Sequence, residues 1–162
     1  MKAASAAEIK KELKEKNPNE LLELCLRLAR FKKENKELMT YLLFEAEDEH
    51  SYVMALKEDV ADQMKEVNRT QFYYCKKNLR RILRQMDRFI RYSGKKETEI
   101  EMRVYFCNEM LREKIPFKRT KALRNLFEGQ IKKAKNALKS LHPDLKYDFS
   151  VEIKELEEQA LA

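Results

Sequence analysis

Two glycines and three prolines in 162 residues leave this chain almost without turn-makers. A soluble protein ordinarily carries about 7% glycine and 5% proline. Sandwiches and barrels need a turn every ~8–12 residues, so those architectures are excluded. Helices with few interruptions remain, and the apolar spacing agrees. Val53, Leu56, Val60, Met64 and Val67 recur with a period of 3.6, as do Leu38, Met39, Leu42, Leu43 and Ala46. The predicted fold is all-α, with seven or eight helices in antiparallel hairpins forming an irregular bundle or a short αα-superhelix. One helical domain is expected over residues 1–162, with 1–18 and 148–162 as peripheral or partly frayed ends.

The rare breakers place the boundaries. Pro18 in KNPNE sets Asn19 as the cap of a helix from Glu20 to about Lys33. Gly94 in YSGKK is a helix C-terminal stop. After Pro116, Thr120 or Arg119 opens a helix near 119–141, and Pro143 ends it because the residue before proline avoids the α region. Further helices are expected near 70–93, 97–113 and 150–160. Over 36–67 one helix or two fit the pattern, with EAEDEHS at 45–51 as the bend if there are two. Gly129, mid-helix, costs about 1 kcal/mol relative to alanine and marks a position for close helix contact. Leu21, Leu24, Cys25 and Leu28 line one face of the second helix, and Leu22, Leu26 and Ala29 another. That breadth of apolar surface predicts a central helix. Leu42-Leu43-Phe44 echoes Asn125-Leu126-Phe127, but chance similarity between leucine-rich helices explains it better than duplication does.

Several functional classes are poorly supplied. No apolar run approaches the ~18 residues that span a bilayer, and MKAASAAEIKKELKEK lacks the apolar core of a signal peptide. Cys25, Cys75 and Cys107 are an odd, dispersed set in helical contexts, expected as buried free thiols in a reducing, cytoplasmic compartment. Glu47 and His50 form one Glu-x-x-His unit, but a di-iron bundle needs a second and two further glutamates. The only other histidine is His142. No metal or cofactor is implied. With no nucleophile–histidine pair at motif spacing and no glycine-rich phosphate loop, a non-enzymatic protein is expected.

His142-Pro143-Asp144, after the basic segment IKKAKNALKSL, resembles the tripeptide of J-domain co-chaperones. That resemblance implies docking on an Hsp70 partner. It does not extend to the flanking helices, and the expected role of the tripeptide is a helix stop, with His142 at the negative end of the helix dipole.

The overall charge of +7 is uneven. Residues 1–66 carry 12 basic and 15 acidic groups, 67–147 carry 22 and 8, and 148–162 carry 1 and 5. The middle segment is therefore +14, which points to an anionic partner. Its centre is the helix near 70–93. Phe72, Cys75, Leu79, Ile82, Leu83, Met86, Phe89 and Ile90 share an apolar arc of about 120°. Lys77, Arg80, Arg81, Arg84, Arg88 and Arg91 gather on the opposite side with Tyr73, and Asp87 borders them. A solvated face usually alternates its signs, whereas like charges at i,i+4 repel by tenths of a kcal/mol. The guanidinium fork suits phosphate, the stripe runs about 21 Å along the axis, and Tyr73 is placed to stack on a base. Tyr73 and Tyr74 point about 100° apart, so one of them is expected outside the core. A weaker basic stripe on the later helix holds Lys121, Arg124, Lys132, Lys135 and Lys139, interrupted by Glu128.

Two readings follow. In the first, the basic face at 70–93 binds nucleic acid or another polyanion. In the other, Glu45, Glu47, Asp48 and Glu49 neutralise it from within, and the chain is an interaction scaffold or homodimer with no nucleic-acid role. No membrane partner is expected, because the basic helix spends its apolar arc on the core.

Overall fold

The computed structural model describes residues 2–161. They form eight α-helices and no strand. The helices are α1 (Ala6–Lys14), α2 (Pro18–Phe31), α3 (Lys33–Thr40), α4 (Glu49–Lys65), α5 (Phe72–Ser93), α6 (Lys96–Arg112), α7 (Lys121–Leu138) and α8 (Pro143–Leu161). A π-helical turn, Tyr41–Glu45, follows α3, and a 3-10 turn, Phe117–Arg119, precedes α7. No helix among the described residues is long and apolar enough to cross a membrane. The chain divides into two compact units, which meet in sequence between Phe44 and Glu45.

In the first unit, local chemistry sets the helix starts. Ser5 and Glu8 form a capping box, and Asn17 and Glu20 form another with Pro18 in the first turn. The cap of α2 is therefore Asn17, two residues earlier than the sequence suggested. Proline is favoured just inside a helix because the amide it lacks is unpaired there anyway. The Asn35 amide donates to the Leu28 carbonyl at 2.8 Å and fastens α3 to the end of α2. No residue of α1, α2 or α3 is buried. Helix α2 is thus not central. Leu22, Leu24, Leu26, Leu28 and Phe31 are exposed, as are Ile9, Leu13, Leu38, Leu42, Leu43 and Phe44. Cys25 is exposed as well, against the expectation of a buried thiol.

The second unit holds a dense core. Helix α6 is its centre, with Thr98, Ile100, Met102, Arg103, Val104, Phe106, Cys107, Glu109 and Met110 all buried. A stripe through Glu97, Glu101, Tyr105 and Asn108 reaches the surface. Around it, α5 buries Cys75, Leu79, Ile82, Leu83, Met86 and Ile90, and α4 buries Val53, Leu56, Val60 and Met64. Phe127 of α7 stacks on Phe117 with ring centroids 4.3 Å apart. Helix α8 inserts Ile153 and Leu156. The helical run breaks within 45–51, at residues 46–48, where Asp48 caps α4 by accepting from the Ser51 amide. Gly94 ends α5 in the left-handed region, at φ 67°, and Thr120 caps α7 by accepting from the Leu123 amide.

Two boundaries differ from the sequence reading. Helix α7 already ends at Leu138, and Pro143 opens α8 rather than closing α7. His142 therefore precedes a helix N-terminus, not a helix C-terminus. Gly129 meets no close neighbour, since a Cβ added there would find nothing within 4 Å. The close contact expected at Gly129 is absent, and its helical cost is not offset. Replacing Gly129 with alanine is expected to stabilise the protein by about 0.5–1 kcal/mol. Thermal unfolding followed by circular dichroism should rise by roughly 2–4 °C.

Candidate polyanion-binding face

Helix α5 turns its apolar arc inward, as its periodicity dictates. Lys77, Arg80, Arg81, Arg84 and Arg91 are left exposed. Among the described residues none of these five enters an ion pair with a carboxylate, although surface pairs form elsewhere, such as Lys57–Glu101 and Lys135–Glu157. Arg88 is set apart. It is half-buried, with its guanidinium 5.4 Å from the centre of the Phe89 ring. Tyr73 is 66% exposed and meets Tyr74 edge-on, with centroids 5.2 Å apart. Both tyrosines lie outside the core, at the start of the helix.

Asp87, Glu49 and Asp48 have partners of their own. Asp87 accepts from Arg103 at 2.9 Å and from Lys133 at 3.4 Å. Glu49 accepts from the hydroxyls of Ser93 and Thr98 and pairs with Lys95 at 3.1 Å, fastening the start of α4 to the α5–α6 turn. Asp48 is used as the α4 cap.

Arg103 organises the interior side of this face. It is only 5% exposed. Its Nε and Nη2 donate to Oε1 of Glu99 at 3.1 and 2.9 Å, and its Nη1 donates to Asp87 and, at 2.7 Å, to Oε1 of Gln130. One guanidinium thereby joins α5, α6 and α7. Burial alone would raise the Glu99 carboxyl. Hydrogen bonds from Lys96 and Arg103 outweigh it and hold Glu99 below its ordinary 4.5. Burial raises the thiols of Cys75 and Cys107, which keeps them protonated and inert at neutral pH.

Between the C-terminal half of α5, the start of α6 and α7 lies an open cleft of about 560 Å³. Its walls carry Arg84, Arg91, Lys95, Lys96, Arg103 and Lys133 against only Asp87 and Glu99. Both carboxylates are occupied, so Arg84 and Arg91 are the uncommitted cations there. The sequence signalled Arg84 and Arg91 but not Lys95, Lys96, Arg103 or Lys133. Gly94 gives part of the reason, because the chain reversal it makes carries the two following lysines back to the cleft. Lys133 comes from a distant helix, and periodicity does not report which helices are neighbours. The weaker stripe stays apart. Lys121 and Arg124 are exposed and line no part of the cleft. Arg124 donates to the Lys118 carbonyl at 3.0 Å and borders a different hollow beside Phe117 and Glu157. Among the described residues, no group of three or more His, Cys, Asp or Glu side chains is placed to hold a metal ion.

No protein-family model, curated protein or solved structure matches the chain.

Removing Arg103 would leave Asp87 and Glu99 with only the exposed Lys133 and Lys96, and would leave the buried Gln130 carbonyl without its donor. Losing one partner of a buried charge cluster costs about 3–5 kcal/mol, and the partial hydration of Asp87 favours the lower end. Arg103→Met should lower the melting temperature by roughly 5–10 °C. The depressed Glu99 carboxyl adds stability above its unfolded value of 4.5, and that stability is lost as pH falls through the lower folded value. Urea unfolding at pH 6 and pH 3 should therefore show a larger drop for the native chain than for Glu99→Gln.

Proposed function

We propose that this chain is a non-enzymatic binding module that holds a polyanion, nucleic acid in the first instance, along the outer face of α5. The observation that carries the reading is the set of five exposed cations, Lys77, Arg80, Arg81, Arg84 and Arg91, facing solvent without carboxylate partners among the described residues. Four of them are arginines, whose fork takes two phosphate oxygens at once. Like charges kept together without neutralisation repel one another, and a ligand that neutralises them removes that repulsion. The stripe spans about 21 Å, enough to follow several successive phosphates.

The cleft extends the same field. Arg84 and Arg91 stand on both the stripe and the cleft wall, so a phosphate chain on α5 continues toward Lys95, Lys96 and Lys133. Exposed Tyr73 offers an aromatic face at the opposite end of the stripe. Phosphate contacts of this kind fix position and do not read sequence. The expected ligand preference is for charge density and backbone spacing. Single-stranded segments gain from stacking on Tyr73.

Fluorescence anisotropy with labelled single-stranded DNA, duplex DNA and RNA at 50 and 200 mM salt tests this directly. Dissociation constants below ~10 μM at the higher salt, with a steep salt slope, would exceed ordinary non-specific binding. The variant Arg80→Gln/Arg81→Gln/Arg84→Gln should bind at least tenfold more weakly. Its salt slope should fall by about 2–3, because each lost phosphate contact removes nearly one counterion. Its melting temperature should stay within about 2 °C of the native value, since these side chains lie outside the core. No binding at 50 mM salt would overturn the reading.

A further inference from the structure

The first unit presents a problem that the second does not. Its three helices bury none of their residues, and α2 holds five large apolar side chains in water. Leu28 is 60% exposed and Phe31 is 74% exposed. With Leu38, Leu42, Leu43 and Phe44, nine large apolar side chains from α2 to Phe44 are exposed, and exposed apolar surface on that scale marks an interaction site. A helical hairpin must bury its apolar stripe against another element.

The sequence of α2 states what that element is. Reading outward from Cys25, Leu24 matches Leu26, Leu22 matches Leu28, Leu21 matches Ala29, Glu23 matches Arg27, and Glu20 matches Arg30. A two-fold interface requires such a pattern, because residue i of one copy lies at the level of j on the other, and j at the level of i. In an antiparallel pair centred on Cys25, leucines share levels with leucines, and the acidic half of each helix lies beside the basic half of its partner. Cys25 sits in the middle of the arc formed by Leu21, Leu22, Leu28 and Ala29, at about 100° per residue. The four charges lie toward the opposite side. They set direction along the whole helix rather than through close pairs. A parallel pair would align the two macrodipoles and put like charges at one level.

We infer that the α2–α3 hairpin is a homodimerisation element. Two copies pack antiparallel through α2 about a two-fold axis passing beside Cys25. This is independent of the polyanion reading, which concerns the other unit.

Sedimentation equilibrium on the full chain, from 5 to 100 μM, should give twice the chain mass, with little change between 50 and 500 mM salt. Leu22→Glu/Leu28→Glu should weaken association at least tenfold. Both side chains are more than half exposed in the single chain, so the substitution leaves the melting of the second unit unchanged. Mild oxidation should link two copies through Cys25, because Cys75 and Cys107 are buried. Cys25→Ser should remain dimeric without the link. In that background Lys32→Cys should not cross-link, since the antiparallel order separates the two thiols by about 21 Å. A monomer at 100 μM would overturn the inference, including one that binds anionic vesicles or another protein. So would a dimer that survives the double glutamate variant, or a dimer that cross-links at position 32 and not at 25.

Discussion

The buried guanidinium of Arg103 is the interaction on which the second unit turns. A cation that is 5% exposed is tolerated only when its donors are satisfied. Here they are shared among Glu99 on its own helix, Asp87 on α5 and Gln130 on α7. That arrangement ties three helices together through one side chain. It also decides what the outside of α5 looks like. Asp87 is the one acidic residue on that helix, and Arg103 and Lys133 draw it inward. The exposed arginines of α5 lose their only intrahelical counter-charge as a consequence of how the core is built.

Burial and charge therefore divide the chain into a saturated unit and an unsaturated one. The second unit closes its core around α6, with Met102, Phe106 and Met110 fully covered. Among the described residues, its unpaired cations on α5 face outward beside the exposed Tyr73. The first unit has caps at the starts of α1 and α2 and a hydrogen bond at its turn, but its leucines stay wet. Local chemistry there is sufficient to form helices and insufficient to hide them. The free chemistry of this unit is apolar, and a matching apolar surface is what completes it.

Much of this was legible in the residues. The scarcity of glycine and proline gave the all-α class, and the 3.6 period of α4 and α5 gave their buried faces to within a residue or two. Gly94 and Thr120 act as their types predict. The choice of central helix failed for a physical reason. Apolar residues on two faces of α2 measure what a helix is able to bury, not what is near it. Helix α6 mixes Thr98, Arg103 and Glu109 among its apolar positions, so its sequence looks half-solvated. Thr98 and Arg103 are buried with partners from other helices, namely Glu49, Asp87 and Gln130. Such pairing is invisible along the chain. The same holds for the cleft, where Arg84 and Lys133 meet across nearly fifty residues of sequence. Gln130 carried no signal at all until Arg103 was seen beside it.

The most direct test of the link between the buried cluster and the outer stripe is NMR of the arginine side-chain Nε–Hε groups during titration with a short duplex. Arg80, Arg81, Arg84 and Arg91 should shift progressively with added ligand, while Arg103 stays unchanged because its donors are already committed. Shifts confined to arginines off α5, or none at all under conditions where the duplex binds, would contradict the account.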